Sequence, residues 1–158
     1  MEFRNLKSNE IECKVNTVNE KGLSLLLYKT ARTDMDLLDE VVGAENWQRD
    51  HKECKGNLFC GIGIYDKDKK EWIWKWDCGV ESAFGDKEKG EASDSFKRAG
   101  FNVGIGRELY TAPFIYVSSE NAKIYNTGRK DKNGKTVYST NDKFIVEKIA
   151  YNGKEIVG

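Results

Sequence analysis

The fold of this chain is decided between residues 58 and 80, which read LFCGIGIYDKDKKEWIWKWDCGV. Successive side chains of a β-strand point to opposite faces of a sheet, so residues two apart share a face. The first part places Leu58, Cys60, Ile62 and Ile64 on one face, and the last part does the same for Trp72, Trp74, Trp76, Cys78 and Val80. A charged turn, DKDKK, separates the two runs. The stretch therefore predicts an antiparallel hairpin.

Segments on either side of this hairpin complete an α+β fold. A strand over 47–55 precedes it, which predicts a three-stranded antiparallel meander. The following stretch 89–109, KGEASDSFKRAGFNVGIGREL, begins as an amphipathic helix whose buried stripe is Ala92, Phe96, Ala99 and Val103. Another helix is predicted over 33–42, with Thr33 as its cap and Gly43 where it stops. We therefore expect a meander packed with helices.

The remaining strands lie outside this region. Alternating or apolar runs predict strands over 10–18 and 23–28. The only proline, Pro113, precedes FIYV, which is typical of an edge strand. Asn-Gly pairs at 133–134 and 152–153 favour tight turns, so they predict two additional C-terminal hairpins.

The composition limits the partners that the protein can have. Among 158 residues, Lys plus Arg and Asp plus Glu both total 26, so a nucleic-acid site has to be a local basic surface. The four cysteines show no Cys-x-x-Cys spacing, and the first residues, MEFRNLKSNE, lack an apolar signal-peptide core. No apolar run approaches about 18 residues, the length of a membrane span. We expect one cytoplasmic domain over 1–158, with free thiols and no membrane partner.

Residue types that carry enzyme chemistry are few and poorly spaced. His51 is the only histidine, and its surroundings, RDHKEC, are typical of a polar strand edge. The cysteines match no compact zinc module, so we expect them in the core. The glycines of GFNVGIG match no phosphate-binding motif. We expect neither an enzyme nor a bound cofactor or metal. The alternative is a small metal-dependent nuclease that uses Asp34, Asp36, Asp77 and Glu81.

Two basic clusters are candidate binding sites. In the later helix Lys97 borders the buried stripe, so its stem is fixed while its ammonium group can hold a phosphate. Arg98 follows Asp94 by four residues, which also fits an ion pair on a solvent-exposed helix face. The stretch 128–135, GRKDKNGK, is the most basic hairpin tip, although such a turn is also common as plain solvated surface.

The tryptophan stripe at 72, 74 and 76 has two interpretations. Exposed aromatic rings stack on nucleic-acid bases, which would make the stripe a platform for a single strand. Three tryptophans on one sheet face also form the kind of surface onto which a helix packs. Two amphipathic helices need such a partner, so we expect the stripe to lie in the core.

Four motifs follow one another along the chain, and they are YKTARTDM, LLDEVVGAENW, DCGVES and DSFKRAGFNVGIGREL. Together they resemble a known family, the Rad-fifty-two-type single-strand annealing proteins, and they lie in the order found in the short phage recombinases of the Sak type. The resemblance covers residues 28–117 and does not extend to the C-terminal hairpins at 118–158.

The resemblance implies a β-β-β-α annealing fold that assembles into rings or arcs. It also implies binding of single-stranded DNA along a basic groove between sheet and helix, without ATP or metal. The Lys-Arg pair of the family helix corresponds to Lys97 and Arg98, and the basic residue at the start of the earlier helix corresponds to Lys29 or Arg32. Phe101 stands where a third basic residue is expected, so Arg107 is the substitute that we predict.

The function implied is annealing of complementary strands in phage-type homologous recombination and DNA repair, in the cytoplasm of a bacterial host. Such annealing has no chemical step, because phosphates are neutralised while bases of two strands test their pairing. The expected partners are single-stranded DNA and further copies of the chain, and a single-strand-binding protein cannot be inferred. Besides the nuclease, the alternative is a scaffolding oligomer with no DNA role.

Overall fold

The structure is a computed structural model that describes residues 1–80 and 86–155. Within them the chain is α+β, with two α-helices and antiparallel sheets. The chain folds as two compact units, the first comprising Met1–Leu6 and Lys29–Glu108, the second Lys7–Tyr28 and the chain from Leu109 onward. None of the helices in the described part has the length and apolar character of a membrane span.

The elements follow each other along the chain as strands, helices and short 3-10 turns. They are β1 (Glu12–Asn19), β2 (Gly22–Tyr28), α1 (Ala31–Val42), β3 (Trp47–Cys54), β4 (Asn57–Asp66), β5 (Glu71–Cys78), α2 (Lys87–Val103), β6 (Ile115–Ser118), β7 (Ile124–Lys130), β8 (Thr136–Thr140), β9 (Ala150–Tyr151) and β10 (Lys154–Glu155). The 3-10 turns are Ser8–Glu10, Ala44–Asn46 and Arg107–Thr111.

The first unit contains the predicted meander. Its strands pair antiparallel in the order β3-β4-β5, and β4 is the central strand. The register sets Ile62 opposite Arg49 on β3, and Gly61 opposite Trp76 on β5. Opposed residues of an antiparallel pair share a face, so Ile62 and Trp76 lie on different faces of the sheet. The hairpin predicted from 58–80 is therefore confirmed.

Helix α2 packs on the face of the meander that carries the aliphatic side chains. Phe96 is fully buried, with its ring centroid 6.0 Å from that of Trp47 and with the guanidinium of Arg49 over its face at 4.8 Å. Ile62 and Ala99 are also fully buried. Of the predicted stripe, Phe96 and Ala99 form the core contact, whereas Ala92 and Val103 are only half-buried.

The expectation that the tryptophan stripe lies under a helix is wrong. Trp74 and Trp76 pair with Gly63 and Gly61, which places them on the face opposite α2. Trp72 belongs to the same face and is 39% exposed. The helix takes the other face because Cys60, Ile62 and Ile64 offer it a continuous buried surface, while glycines have no side chain to contribute.

Helix α1 begins two residues before the predicted start. Its N-cap is Thr30, whose extended backbone (φ −94°, ψ 159°) precedes the first helical residue, Ala31. Thr33 is buried inside the first turn and is not the cap. The apolar spacing starts only after this turn, so periodicity alone misses it. The helix ends as predicted at Gly43, whose φ of 89° favours glycine.

The second unit is built on a three-stranded sheet in the order β1-β2-β6. Strand β6 lies at its edge, as Pro113 predicts, and the buried core is Leu23, Leu25 and Ala122. Both Asn-Gly hairpins are present, as β7-β8 and β9-β10. All four cysteines are free thiols, but only Cys60 is fully buried, and Cys54 is exposed rather than in the core.

Candidate nucleic-acid interface

A buried ion pair joins the start of α1 to the middle of α2. The ammonium group of Lys29 bonds the carboxylate of Asp34, and the two residues are 2% and 0% exposed. The same ammonium donates to the backbone carbonyl of Lys97 at 3.0 Å and lies 4.0 Å from the ring centroid of Phe101. Three groups from two helices therefore surround one cation.

Glycines make room for this ion pair. A Cβ atom at Gly100 would overlap Oδ1 of Asp34 and lie 2.9 Å from Nζ of Lys29. Gly106, with a φ of 74°, would place a Cβ 3.0 Å from Cδ of Lys29. Two of the glycines that follow the basic pair in the sequence thus line the space that the lysine side chain fills. Close approach of the backbone is the reason that glycine stands there.

Burial dominates the electrostatics of this pair. It raises the pKa of Asp34 to about 6, because desolvation outweighs the attraction of the Lys29 ammonium. Burial also lowers the pKa of Lys29, and Asp34 opposes that shift. The partners of Nζ, which are a carboxylate, a carbonyl oxygen and an aromatic face, all favour the charged ammonium form.

Lys29 has a structural role in this arrangement. The sequence predicts it as a DNA-binding residue, but its ammonium group is enclosed and already engaged by protein groups. A phosphate in solvent cannot reach it without breaking the buried pair. Phe101, which stands where a third basic residue is expected, covers this ammonium. Arg32 is the surface residue of the same segment and lies exposed in the first turn of α1.

The Lys97–Arg98 pair lies on the outward side of α2. Lys97 is half-buried and Arg98 is exposed. Nε of Arg98 donates to Oδ2 of Asp94 at 2.9 Å, so the predicted i,i+4 ion pair is present. That oxygen also accepts a hydrogen bond from the backbone N–H of Val80 at 2.9 Å. An exposed pair of this kind contributes little stability.

Arg107 closes the C-terminal end of α2. Its Nε donates to the carbonyl oxygen of Phe101 at 2.7 Å, and its Nη2 donates to that of Asn102 at 2.8 Å. The carbonyl oxygen of Phe101 also accepts a hydrogen bond from the backbone N–H of Gly104 at 3.1 Å, so Arg107 adds a side-chain donor to the carbonyls in the last turn of the helix. The side chain is exposed, and the preceding residue, Gly106, packs on Lys29. Arg32, Lys97, Arg98 and Arg107 all lie in segments that meet around the buried Lys29–Asp34 pair, and we call these four cations the basic junction.

Helix α2 is fixed to the sheet at both of its ends. Near its start, the carboxylate of Glu91 accepts a hydrogen bond from the backbone N–H of Leu58 at 3.0 Å. Near its end, Nδ2 of Asn102 donates to the carbonyl oxygen of Trp76 at 2.8 Å and to Asp77 at 3.2 Å. The helix backbone that carries Lys97 and Arg98 is therefore held in place, while their charged groups lie at its surface.

The open face of the meander carries a row of aromatic side chains. We call Tyr65, Trp72, Trp74 and Trp76 the tryptophan face. The indoles of Trp74 and Trp76 have centroids 5.7 Å apart and planes 24° apart, and the rings of Tyr65 and Trp72 are 5.5 Å apart. Nζ of Lys52 lies 4.8 Å from the ring centroid of Trp76. Lys52 and Tyr65 were not among the sequence candidates, although strand alternation assigns both to this face.

The carboxylates that the nuclease alternative requires either bond protein groups or lie apart from one another. Asp34 is buried against Lys29, Asp36 is exposed on α1, and Asp77 bonds Asn102. Glu81, and with it the end of the DCGVES motif, lies outside the described residues. Within residues 1–80 and 86–155, no three His, Cys, Asp or Glu side chains are grouped as ligands for a metal ion.

The basic hairpin tip belongs to the second unit. Its turn is organised by Asp131, whose Oδ1 accepts hydrogen bonds from the backbone N–H groups of Asn133 at 2.8 Å and Lys135 at 3.0 Å. The tip is thus a formed turn with its lysines on the exposed side.

Comparisons of the chain with protein-family models, with curated proteins and with solved structures find no match. The sequence and the geometry of the molecule are therefore what supports a function.

Proposed function

We propose that this protein binds single-stranded DNA at the basic junction and anneals complementary strands without nucleotide or metal. One observation carries the proposal. Three separate segments, at 29–34, 97–100 and 106–107, meet around the buried Lys29–Asp34 pair. Each of these segments carries or adjoins a basic residue of the junction.

The junction has the properties that phosphate binding requires. Lys97 and Arg98 rise from a helix that is fixed by the burial of Phe96 and Ala99. The backbone at Lys97 is held directly by Lys29. Cations on a rigid backbone meet phosphates at defined positions, and such contacts set the path of a strand without reading its sequence. This property suits annealing, which has to accept any sequence.

The order of elements supports the proposed annealing fold. The first unit has three antiparallel strands followed by a helix, β3-β4-β5-α2, which is the β-β-β-α order that the family resemblance implies. Strands β3 and β5 are the edges of this meander, and unpaired backbone groups at sheet edges are able to join neighbouring subunits. Assembly into rings or arcs is therefore part of the proposal.

The test of the basic junction is the double variant Lys97→Ala, Arg98→Ala. Its affinity for a single-stranded oligonucleotide should fall tenfold or more, which is about 1.4 kcal/mol per decade. The slope of log affinity against log salt should flatten by about 0.7 for each phosphate that the variant no longer neutralises. The control is Lys130→Ala, Lys132→Ala in the hairpin tip, which removes the same charge and should change less.

The result that contradicts this assignment is the reverse pattern. If the helix variant keeps its affinity and salt slope while the tip variant loses binding, the tip at 128–135 is the site. Circular dichroism of both variants should match that of the unmodified protein, because neither pair of side chains lies in the core.

Annealing itself needs its own measurement. Complementary oligonucleotides should anneal faster with the protein than without it, in EDTA and in the absence of nucleotide, and light scattering should show a large homo-oligomer. A strict requirement for ATP, or a monomeric mass at micromolar concentration with and without DNA, would contradict the proposal. Degradation of labelled DNA in Mg²⁺ would favour the nuclease instead.

A further inference from the structure

We propose a second nucleic-acid site on the tryptophan face, where the outward faces of the half-buried Trp74 and Trp76 stack on the bases of a single DNA strand. The site goes beyond the basic junction, because it lies on the opposite face of the meander from α2 and contacts bases rather than phosphates. The two sites share no residue.

The two indoles lie flat on the sheet. A Cβ atom at Gly61 would come within 2.6 to 2.7 Å of Cε2, Cδ2 and Cζ2 of Trp76. At Gly63 the same three atoms of Trp74 would be 2.7 to 2.9 Å away. Cδ2 and Cε2 form the bond shared by the two rings of an indole, so each ring covers its glycine with a face rather than with an edge. The other face of each indole is turned away from the sheet.

The chemistry of this face favours a nucleic acid over a protein partner. Beneath the indoles it carries glycines, and on β3 it carries the exposed polar residues Gln48, Asp50 and Lys52. The aliphatic side chains of β4 and β5 lie on the other face, whereas Asp50 and Lys52 on this face are charged residues of the kind that the centre of a protein–protein interface lacks. A flat aromatic surface beside polar groups is the arrangement that base stacking uses.

Lysines at both ends of the aromatic row complement the charge of a phosphate backbone. Lys52 lies over the ring of Trp76, with Nζ 4.8 Å from the ring centroid, and makes only a long 3.9 Å approach to Asp50. Its side chain is 66% exposed, so the ammonium can move aside when a base stacks on this indole. At the other end, next to Trp72, the turn at 67–70 has three exposed lysines and one aspartate. A strand that crosses the row would therefore find a cation on either side of the stacked bases.

The arrangement of the two indoles favours a single strand. Both lie over the same face of the sheet, with centroids 5.7 Å apart and planes 24° apart. Bases that stack on them would lie side by side and not on top of one another, so the strand has to be unstacked. In a duplex the base faces are covered by their neighbours. Stacking uses the face of a base and leaves its pairing edge free, so the site is compatible with annealing.

The test compares two oligonucleotides that carry the same phosphates. One is a fluorescently labelled oligothymidylate, and the other is an abasic strand of equal length. Fluorescence anisotropy should show that the unmodified protein binds the first tenfold or more tighter than the second. The variant Trp74→Ala, Trp76→Ala should lose this ratio, while Trp74→Phe, Trp76→Phe should retain most of it because an aromatic face remains.

The matched control on the same face is Gln48→Ala, which should leave the ratio unchanged. The variant Lys97→Ala, Arg98→Ala should weaken binding of both oligonucleotides and keep the ratio of the two affinities. The experiment therefore tests the basic junction and the tryptophan face independently. The comparison in the unmodified protein is decisive even if the alanine variant does not fold. Equal binding of the two strands, or no binding of either, overturns the inference. A change in oligomer mass on Trp74→Phe, Trp76→Phe would instead show that the face joins copies of the chain.

Discussion

The replacement Gly100→Ala tests the packing on which the basic junction depends. In an ordinary exposed helix, alanine is favoured over glycine by about 0.8 to 1.0 kcal/mol. Gly100 is buried in the middle of α2, and a Cβ there would overlap the Asp34 carboxylate. We therefore expect a substitution that normally stabilises a helix to destabilise this protein.

The magnitude follows from what has to move. The added Cβ would lie 2.9 Å from Cγ of Asp34 and from Nζ of Lys29, whereas ordinary contact begins at 3.4 Å. Asp34 has a short side chain and is fully buried, and its carboxylate can move away from the added Cβ only at the expense of its bond to Lys29. Leaving one charge of a buried ion pair without its partner costs about 3 to 5 kcal/mol, and we take the lower end for a pair that is pushed apart. After the gain in helix propensity is subtracted, the expected loss is about 2 kcal/mol or more.

The assay is urea-induced unfolding followed by circular dichroism, in the unmodified chain and in an Asp34→Ala background. Without the carboxylate the closest contact is gone, and only the approach to Nζ of Lys29 remains, at the end of a flexible side chain. Gly100→Ala should therefore lose most of its cost in this background and approach the gain of up to about 1 kcal/mol that helix propensity gives. The difference between the two backgrounds measures the contact itself. If Gly100→Ala stabilises both backgrounds equally, the helix does not approach the ion pair at this position.

Two further predictions concern the same region. Arg107→Ala should lower the free energy of unfolding by about 1 kcal/mol, because the C-terminal carbonyls of α2 lose two hydrogen bonds and a favourable charge; an unchanged urea midpoint would contradict this role. The pKa of Asp34 is about 6 in the folded protein and about 3.9 when unfolded, so the folded state binds this proton more tightly. Its contribution to stability is therefore greatest below about pH 4 and is lost as the pH rises through about 6. The stability of the unmodified protein relative to Asp34→Asn should fall between these pH values, and a constant or rising difference would refute the assignment.

The sequence predicts the strands and their pairing well, because each signal is local. Alternation between 58 and 80 predicts the hairpin, and Gly43 and Pro113 mark a helix end and an edge strand. These features depend on backbone conformations that a few residues control. Single positions such as the start of α1 are less certain, because its first turn lies outside the apolar repeat.

The burial of Lys29 could not be predicted from local signals. Lysine is almost never fully buried unless it is paired, so its position beside Arg32 suggests a surface cation. Its partner, Asp34, lies in a helix segment whose other acids are exposed. The Lys29 ammonium becomes enclosed only because α2 packs against it, with Gly100 close to the ion pair and the carbonyl oxygen of Lys97 as a hydrogen-bond acceptor. That contact joins residues far apart in the sequence.

The face of the meander that the helix covers was mispredicted, yet the sequence contains a signal for it. Alternation states which residues share a face but not which face is buried. The side chains of the central strand determine which face a helix covers, because a helix that packs on the sheet contacts that strand. On one face β4 offers Cys60, Ile62 and Ile64, and on the other it offers Gly61 and Gly63. The helix packs on the face with Cys60, Ile62 and Ile64. On the face with Gly61 and Gly63, the indoles of β5 lie flat over the glycines. Glycine at alternate positions of a central strand thus indicates a flat, open sheet face, and stacking is the interaction that flat aromatic rings on such a face provide.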